Sequence, residues 1–323
     1  MLGQELKLPS GARLSNRLIK AAMTERLADP MNRATPALET LYRTWSHGGA
    51  GCHITGNVLV DRYHLENAGN VVADTDREAL TRYARAGTEA GNHLWMQISH
   101  GGRQTPLAIN DAPMAPSAVM VDTKRTQHGL PVAMEITDID RTVAAFASAA
   151  RIARETGFTG VQVHAAHGYL ISAFLNPLAN RRDDDYGGTL ENRARLLLRV
   201  VDAIRTEAGT DFPLSVKLNS ADFQQGGFTL EDCAQVAKWL EDAGIDLLEV
   251  SGGNYETPAM LMGRRGDLPP VKQSTLAREA FFIDYAAFLR QHTQLPMMVT
   301  GGFRTRAAME EALASGAADA TAH

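Results

Sequence analysis

The chain has 323 residues, 44% of them hydrophobic, with 28 glycines, a formal net charge of −5 and a pI near 6.1. That balance offers no basic field for nucleic acid, no apolar run long enough to span a bilayer and no signal-peptide core in residues 1–10, so a cytoplasmic protein with neither a nucleic-acid nor a membrane partner is expected. Cys52 and Cys233 lie far apart without metal-ligand spacing and read as small buried hydrophobes in a reducing compartment.

Taken in chain order, short apolar runs at Arg17 to Ala22, Cys52 to Asn57, Leu94 to Ser99, Gly160 to His164, Leu214 to Leu218, Leu247 to Ser251 and Met297 to Thr300 read as strands. Between them, Pro36 to Ser46, Asp74 to Ala90, Asp140 to Thr156, Leu190 to Ala208, Leu230 to Ala243, Leu276 to Gln291 and Arg306 to Ala314 carry helical spacing, several opened by an Asp or Thr cap and closed by Gly. An eighth strand begins at Ala318 and stops at His323. Strict alternation predicts a parallel sheet, and about eight units predict a closed (β/α)8 TIM barrel over one domain of residues 1–323. The alternative, an open doubly wound sheet, lacks the Gly-x-Gly-x-x-Gly that a dinucleotide fold needs after its first strand.

Polar residues fall repeatedly at the strand ends, where a barrel collects its active site. Thr24 follows strand one and Gly56 strand two. Gln97 and His100 follow strand three, Lys217 lies on strand five, Ser251-Gly252-Gly253 ends strand six, and Gly301-Gly302 strand seven. The densest group ends strand four: Gly160-Val161-Gln162-Val163 runs into His164-Ala165-Ala166-His167-Gly168-Tyr169. Where the chain curls off a strand, both imidazoles can turn to one mouth, holding a carbonyl or nitro oxygen while Tyr169 lends a proton. The plainer reading is two structural histidines and a packed tyrosine. Lys217 sits between Val216 and Leu218 in a barrel strand, where a charge must find a partner. Asp183-Asp184-Asp185 reads as a solvated run beside Arg181 and Arg182, not a metal site, and those arginines either touch a cofactor or pin the loop. Met260-Leu261-Met262 and Gly263-Arg264-Arg265-Gly266 fall in a loop after strand six that covers substrate or is a surface excursion.

The block from His164 through Asn180-Arg181-Arg182, Asp185-Tyr186-Gly187-Gly188 and Glu191-Asn192-Arg193, together with Gln97-Ile98-Ser99-His100-Gly101-Gly102-Arg103 and Ser15 to Thr24, resembles the Old Yellow Enzyme family of FMN-dependent ene-reductases, on the branch of the flavin domain of dienoyl-CoA reductase. The resemblance implies an FMN ring across the barrel mouth. Ala22, Met23 and Thr24 would line it, with Thr24 at the C4 carbonyl and N5 edge, Gly56 packed nearby and Gln97 on the pyrimidine side. Lys217 would lie near N1, and the backbone amides of Gly301 and Gly302 at the phosphate. It further implies hydride from NADH or NADPH and a small-molecule activated alkene as substrate, with His164 and His167 on the activating oxygen and Tyr169 as proton donor. Association between copies of the chain is left open.

One departure stands out. The family's eighth strand carries a Gly-Arg pair that grips the FMN phosphate, whereas this chain reads Gly316 to His323 and ends. The expectation is a truncated last β/α unit, with open edges on strands one and seven, weaker FMN binding, and either a longer gene product or a covering partner. Two other functions stay open: a non-flavin phosphate-binding lyase or isomerase barrel using Lys217, and a degenerate flavin-binding barrel without turnover.

Overall fold

The computed structural model describes residues 1–123, 126–256 and 282–323. Eight strands, β1 (Leu18–Lys20), β2 (Cys52–Ile54), β3 (His93–Ser99), β4 (Gly160–Ala165), β5 (Leu214–Asn219), β6 (Leu247–Ser251), β7 (Met297–Thr300) and β8 (Ala320–Ala322), run parallel, each beside its neighbour in sequence. Every residue of β4 and β5 is buried, as expected of strands covered on both faces.

The helices are α1 (Pro36–Ser46), α2 (Arg77–Gly87), α3 (Ile136–Glu155), α4 (Leu170–Leu175), α5 (Leu190–Ala208), α6 (Leu230–Asp242), α7 (Ile283–Leu289) and α8 (Arg306–Ala314). Local chemistry sets their ends. The Thr229 hydroxyl accepts the Asp232 N–H at 3.1 Å while the Asp232 carboxylate takes the Thr229 N–H at 3.5 Å, a reciprocal cap that starts α6. Thr189 caps α5, and Gly209, at φ 81°, stops it in a conformation that side chains resist. The short helix α4 was not anticipated: its six residues are all apolar or small and all buried, so no amphipathic period marks it. The Met260 to Gly266 segment lies outside the described residues.

Two apolar layers follow from this geometry. Between helices and sheet, Phe146, Ala150, Leu197 and Val201 pack with Val161, Val163 and Val216. Inside the barrel, Ile19, Cys52, Ile54, Trp95, Leu247, Met298, Ala320 and Ala322 form a second cluster, sealed from below by Leu6, Leu8 and Leu14 of a hairpin that pairs Leu6 with Leu14. The N-terminal end of the barrel is therefore plugged, and the polar strand ends lie at the opposite mouth. Both cysteines are free and buried, and burial pushes their thiols far up. Among the described residues no helix is long and apolar enough to cross a membrane.

The expected open edges are corrected by β8. It pairs with β7 through Met298↔Ala320, Val299↔Thr321 and Thr300↔Ala322, and with β1 through Thr321↔Leu18 and Ala322↔Ile19. The ladder runs one residue further, since His323 N–H donates to the Ile19 carbonyl and the Ala21 N–H to the His323 carbonyl, both at 3.1 Å. Three small, fully buried residues close the barrel, leaving strands one and seven no free edge.

Candidate active site

The barrel's inward side chains above the apolar plug are polar and linked. Gln97 on β3 and Gln162 on β4 lie in register, and the Gln97 Nε2 donates to the Gln162 Oε1 at 2.8 Å. The Gln162 Nε2 donates onward to Glu249 Oε2 at 2.8 Å and to Ser215 Oγ at 3.2 Å. Glu249 on β6 is wholly buried. Its Oε1 meets the Lys217 Nζ at 2.9 Å and the Thr300 hydroxyl at 2.6 Å. The partner that Lys217 required is therefore Glu249. The signal for it was present, an acid between Leu248 and Val250, the mirror image of Val216-Lys217-Leu218.

At the end of β4 the structure brings His164, His167 and Tyr169 together. The imidazole rings of His164 and His167 stand edge to face with centroids 5.0 Å apart, and the Tyr169 ring lies 4.8 Å from that of His164. His164 is buried and its Nδ1 accepts the Ala166 N–H at 3.2 Å, so in the neutral ring the proton sits on Nε2. His167 reaches the cluster by entering the left-handed region at φ 63°, costly for a residue with a Cβ. It is held there by Asn219 Oδ1 on its N–H (3.2 Å), by Gln104 Nε2 on its carbonyl (2.8 Å) and by Ser251 Oγ, 2.8 Å from its Nε2.

Burial holds both imidazoles well below the ordinary histidine range, with His167 and then Lys217 adding repulsion at His164, and Lys217 at His167. Both are neutral, with the His164 proton on Nε2; His167 keeps an N–H for the mouth in the tautomer where Ser251 donates to its Nε2. Burial, the Glu66 carboxylate and the Tyr255 hydroxyl push the Tyr169 phenol well above its usual value, and its oxygen lies 3.1 Å from that of Tyr255.

The first two strand ends form one wall. The Thr24 hydroxyl donates to Glu66 Oε2 at 2.6 Å, and Asn57 Nδ2 donates to the same oxygen at 2.6 Å. A Cβ on Gly56 would lie 2.2 Å from the Met23 carbonyl oxygen, so only glycine lets the Ala22 to Glu25 segment settle on β2. Ala22 is half-buried and Met23 is 55% exposed. Gly301 and Gly302 leave β7 at φ 95° and 83°. Glu66 and Tyr255 were missed by sequence reasoning, because both stand in loops with no period to place them.

Not every strand-end residue joins the mouth. His100 turns aside to stack on His64, with centroids 4.3 Å apart and planes at 24°, and its Nδ1 accepts the Gly102 N–H at 3.0 Å. His64 Nδ1 lies 2.6 Å from Asp61 Oδ2 beside a cavity of about 510 Å³. Both His64 nitrogens are engaged, Nδ1 with Asp61 and Nε2 accepting the Met114 N–H at 3.0 Å, and the trio reads as a pin between two loops. Arg182 pins its loop too, bonding Asp184 at 2.5 Å and the Pro116 and Met134 carbonyls at 3.1 and 2.6 Å. Asn180 Nδ2 ties the Phe174 and Tyr186 carbonyls at 2.7 Å each, and Arg193 the Leu175 carbonyl. Half of the most distinctive stretch of sequence is thus scaffold for its other half.

Gln97 keeps its carbonyl oxygen and one N–H, and Lys217 two of its donors, without partners among the described residues. A flat ring edge that alternates acceptors with one donor, as the isoalloxazine pyrimidine does, fits this set. The chain matches the model of the family described as NADH:flavin oxidoreductase / NADH oxidase over residues 5–322. It is 38% identical to the NADH-dependent flavin oxidoreductase iliE of Neonectria sp. (strain DH2), over 98% of this chain and 44% of that protein, so it spans less than half of that relative's length. Among solved structures, a 2-naphthoyl-CoA reductase in complex with 2-naphthoyl-CoA superposes with a TM-score of 0.89 at 27% identity, over 99% of this chain and 49% of that one. An Old Yellow Enzyme homologue from Zymomonas mobilis superposes with a TM-score of 0.83 at 26% identity, over 100% of this chain and 88% of that one.

Proposed function

From membership of the NADH:flavin oxidoreductase / NADH oxidase family, to which this chain belongs, we propose that it reduces the activated C=C bond of an α,β-unsaturated carbonyl or nitro compound at the expense of NADH or NADPH. The observation that carries this reading is the pair of neutral imidazoles beside a buried phenol at the end of β4. FMN, the family's cofactor, would when bound supply the hydride-transfer chemistry between the nicotinamide and the β-carbon of the alkene.

The chain's own groups handle charge and proton. As hydride arrives at the β-carbon, negative charge builds on the carbonyl or nitro oxygen, and fixed N–H donors from His164 and His167 meet it there. A neutral imidazole suits this task, since it donates without adding an ion to the ground state. Tyr169 gives its phenolic proton to the α-carbon, completing addition of H⁻ and H⁺ across the double bond. For a carbonyl substrate its raised pKa does not prevent this, because an enolate carbon is far more basic than a phenoxide. Gln97 and Lys217 would hold the pyrimidine edge of FMN, with the Lys217 charge favouring the reduced anion. Ala22, Met23, Thr24 and Gly56 would form the wall beside the ring, and the Gly301 and Gly302 amides would face the phosphate. Lys217, fixed in an ion pair 2.9 Å long, is poorly placed to serve as a Schiff-base nucleophile, which weighs against a lyase barrel.

The test is a substrate panel on FMN-supplemented protein: cyclic enones, a maleimide, a nitroalkene and an enoyl thioester, each with NADH and NADPH. Turnover of at least one class, lost on replacing both histidines while flavin reduction persists, is the expected result. Nicotinamide oxidation that no alkene accelerates would overturn the proposal.

A further inference from the structure

Every side chain read as holding the pyrimidine edge of a flavin is tied to one carboxylate. Glu249 Oε1 takes the Lys217 ammonium at 2.9 Å and the Thr300 hydroxyl at 2.6 Å, the latter from the residue just before Gly301-Gly302. Its Oε2 takes the Gln162 amide at 2.8 Å, and Gln162 in turn takes the Gln97 amide at 2.8 Å. The cluster of barrel-core residues below is apolar, so packing alone gives no reason for an acid here.

The direction of these bonds matters more than their number. A primary amide has a donor end and an acceptor end of nearly equal shape, and only its neighbours decide which way it faces. A carboxylate that accepts from the Lys217 ammonium presents only acceptors, so Gln162 must turn its NH₂ towards Glu249. Its carbonyl oxygen then faces Gln97, which must answer with its own NH₂. Gln97 is left with its carbonyl oxygen and its second N–H for a ligand, the pair that matches a ring N–H flanked by a carbonyl.

We propose that Glu249 is the positioning residue of the cofactor site: through Gln162 it sets which way the Gln97 amide faces the flavin pyrimidine ring, and by direct contact it fixes and balances the Lys217 ammonium. The inference rests on the reading that FMN lies against Gln97 and Lys217. Glu249 touches neither substrate nor cofactor and acts only through these two side chains.

Glu249→Gln keeps the shape, removes the charge and lets the amide chain run in either direction. Two readouts on the variant separate the roles: FMN affinity of apoprotein by fluorescence quenching, and the midpoint potential of the flavin in loaded protein. Loss of a fixed Gln97 orientation is expected to weaken oxidised FMN at least tenfold. Lys217, freed of its counter-charge, should hold the reduced anion better, raising the ratio of reduced to oxidised affinity by about tenfold, an upward shift near 30 mV for a two-electron couple. Gln162→Met cuts the relay and leaves the ion pair, so it should weaken FMN with the potential unmoved. Wild-type affinity and potential in a folded Glu249→Gln protein would overturn the proposal. If that variant does not fold, wild-type FMN affinity in Gln162→Met overturns it instead. Should Gln97→Ala and Lys217→Met also bind FMN as the parent does, the placement of the cofactor itself is wrong, and the proposal falls with it.

Discussion

Replacing His164 with Ala removes a donor whose direction the structure fixes. Its Nδ1 is occupied by the Ala166 N–H at 3.2 Å, and its ring is packed between those of His167 and Tyr169, so Nε2–H has one orientation to offer. Deleting one such preorganised donor from an oxyanion site costs about 100- to 1000-fold in kcat, or roughly 2.7–4 kcal/mol. His167 is fixed as firmly through Ser251, and the proposed function puts both on one oxygen, so the double variant should lose less than the product of the single losses. The assay is stopped-flow reoxidation of pre-reduced, FMN-loaded protein by cyclohexenone, with reoxidation by dioxygen in parallel. The enone rate should fall by two to three orders of magnitude, as estimated above, while the dioxygen rate and FMN content stay near the parent's. Equal loss in both reactions, or loss of FMN, would show that the pair holds structure and not substrate.

Tyr169→Phe should slow enone turnover and spare reduction by nicotinamide, and an unchanged reoxidation rate would assign the proton to water. Gly56→Ala places a Cβ 2.2 Å from the Met23 oxygen, and should cost about 1–3 kcal/mol and loosen FMN as the Thr24 segment is displaced; parental urea midpoint and affinity would refute the cradle. Acid should destabilise the fold early. Burial, with Lys20's charge at His53 and His64's at His100, lowers these folded imidazoles to about 4 and about 3. The unfolded chain therefore binds more protons below pH ~6.5, and stability is full above that pH and falls towards the folded values, by at most about 1.4 kcal/mol per pH unit for each histidine. A urea midpoint that is the same at pH 7.5 and pH 5 would contradict this. Deleting residues 320–323 removes the pairing of β8 with both β7 and β1, and cooperative unfolding by circular dichroism should vanish; a sharp transition would mean that closure is dispensable.

The elements that the sequence announces are helices with one buried face and short apolar strands bounded by turn residues. Pro36–Ser46, Leu190–Ala208 and Arg306–Ala314 coincide with their helical spacing to the residue, because an amphipathic stripe is joined by a clear start, Pro36 in the first and the Thr189 and Thr305 caps in the others. Met297–Thr300 and Leu247–Ser251 likewise match, bounded by glycine or proline. Legibility failed at α4, where no amphipathic period marks the helix; the eighth strand was placed, but Ala320, Thr321 and Ala322 have too little bulk to announce that so short a strand closes the barrel. At the site, residues on strands or directly after them were found, whereas Glu66 and Tyr255 reach the mouth from loops whose course depends on long-range packing. Glu249 is the instructive miss. The rule that a charge in a buried strand needs a partner was applied to Lys217 and not to the acid one strand away.

The arrangement also explains why so polar a barrel mouth is compatible with a stable fold. Lys217 and Glu249 are each buried at the cost of desolvation, which a lone ion pair repays poorly. Here the carboxylate has three donors, its Gln162 neighbour makes three hydrogen bonds, and Ser215 and Thr300 close the ends, so the network carries its own compensation and stays rigid. The groups left over are the Gln97 carbonyl and N–H and two Lys217 donors. A ligand meeting them therefore encounters donors and acceptors already oriented. The polar layer is thus stabilised by its own hydrogen bonds before any ligand arrives.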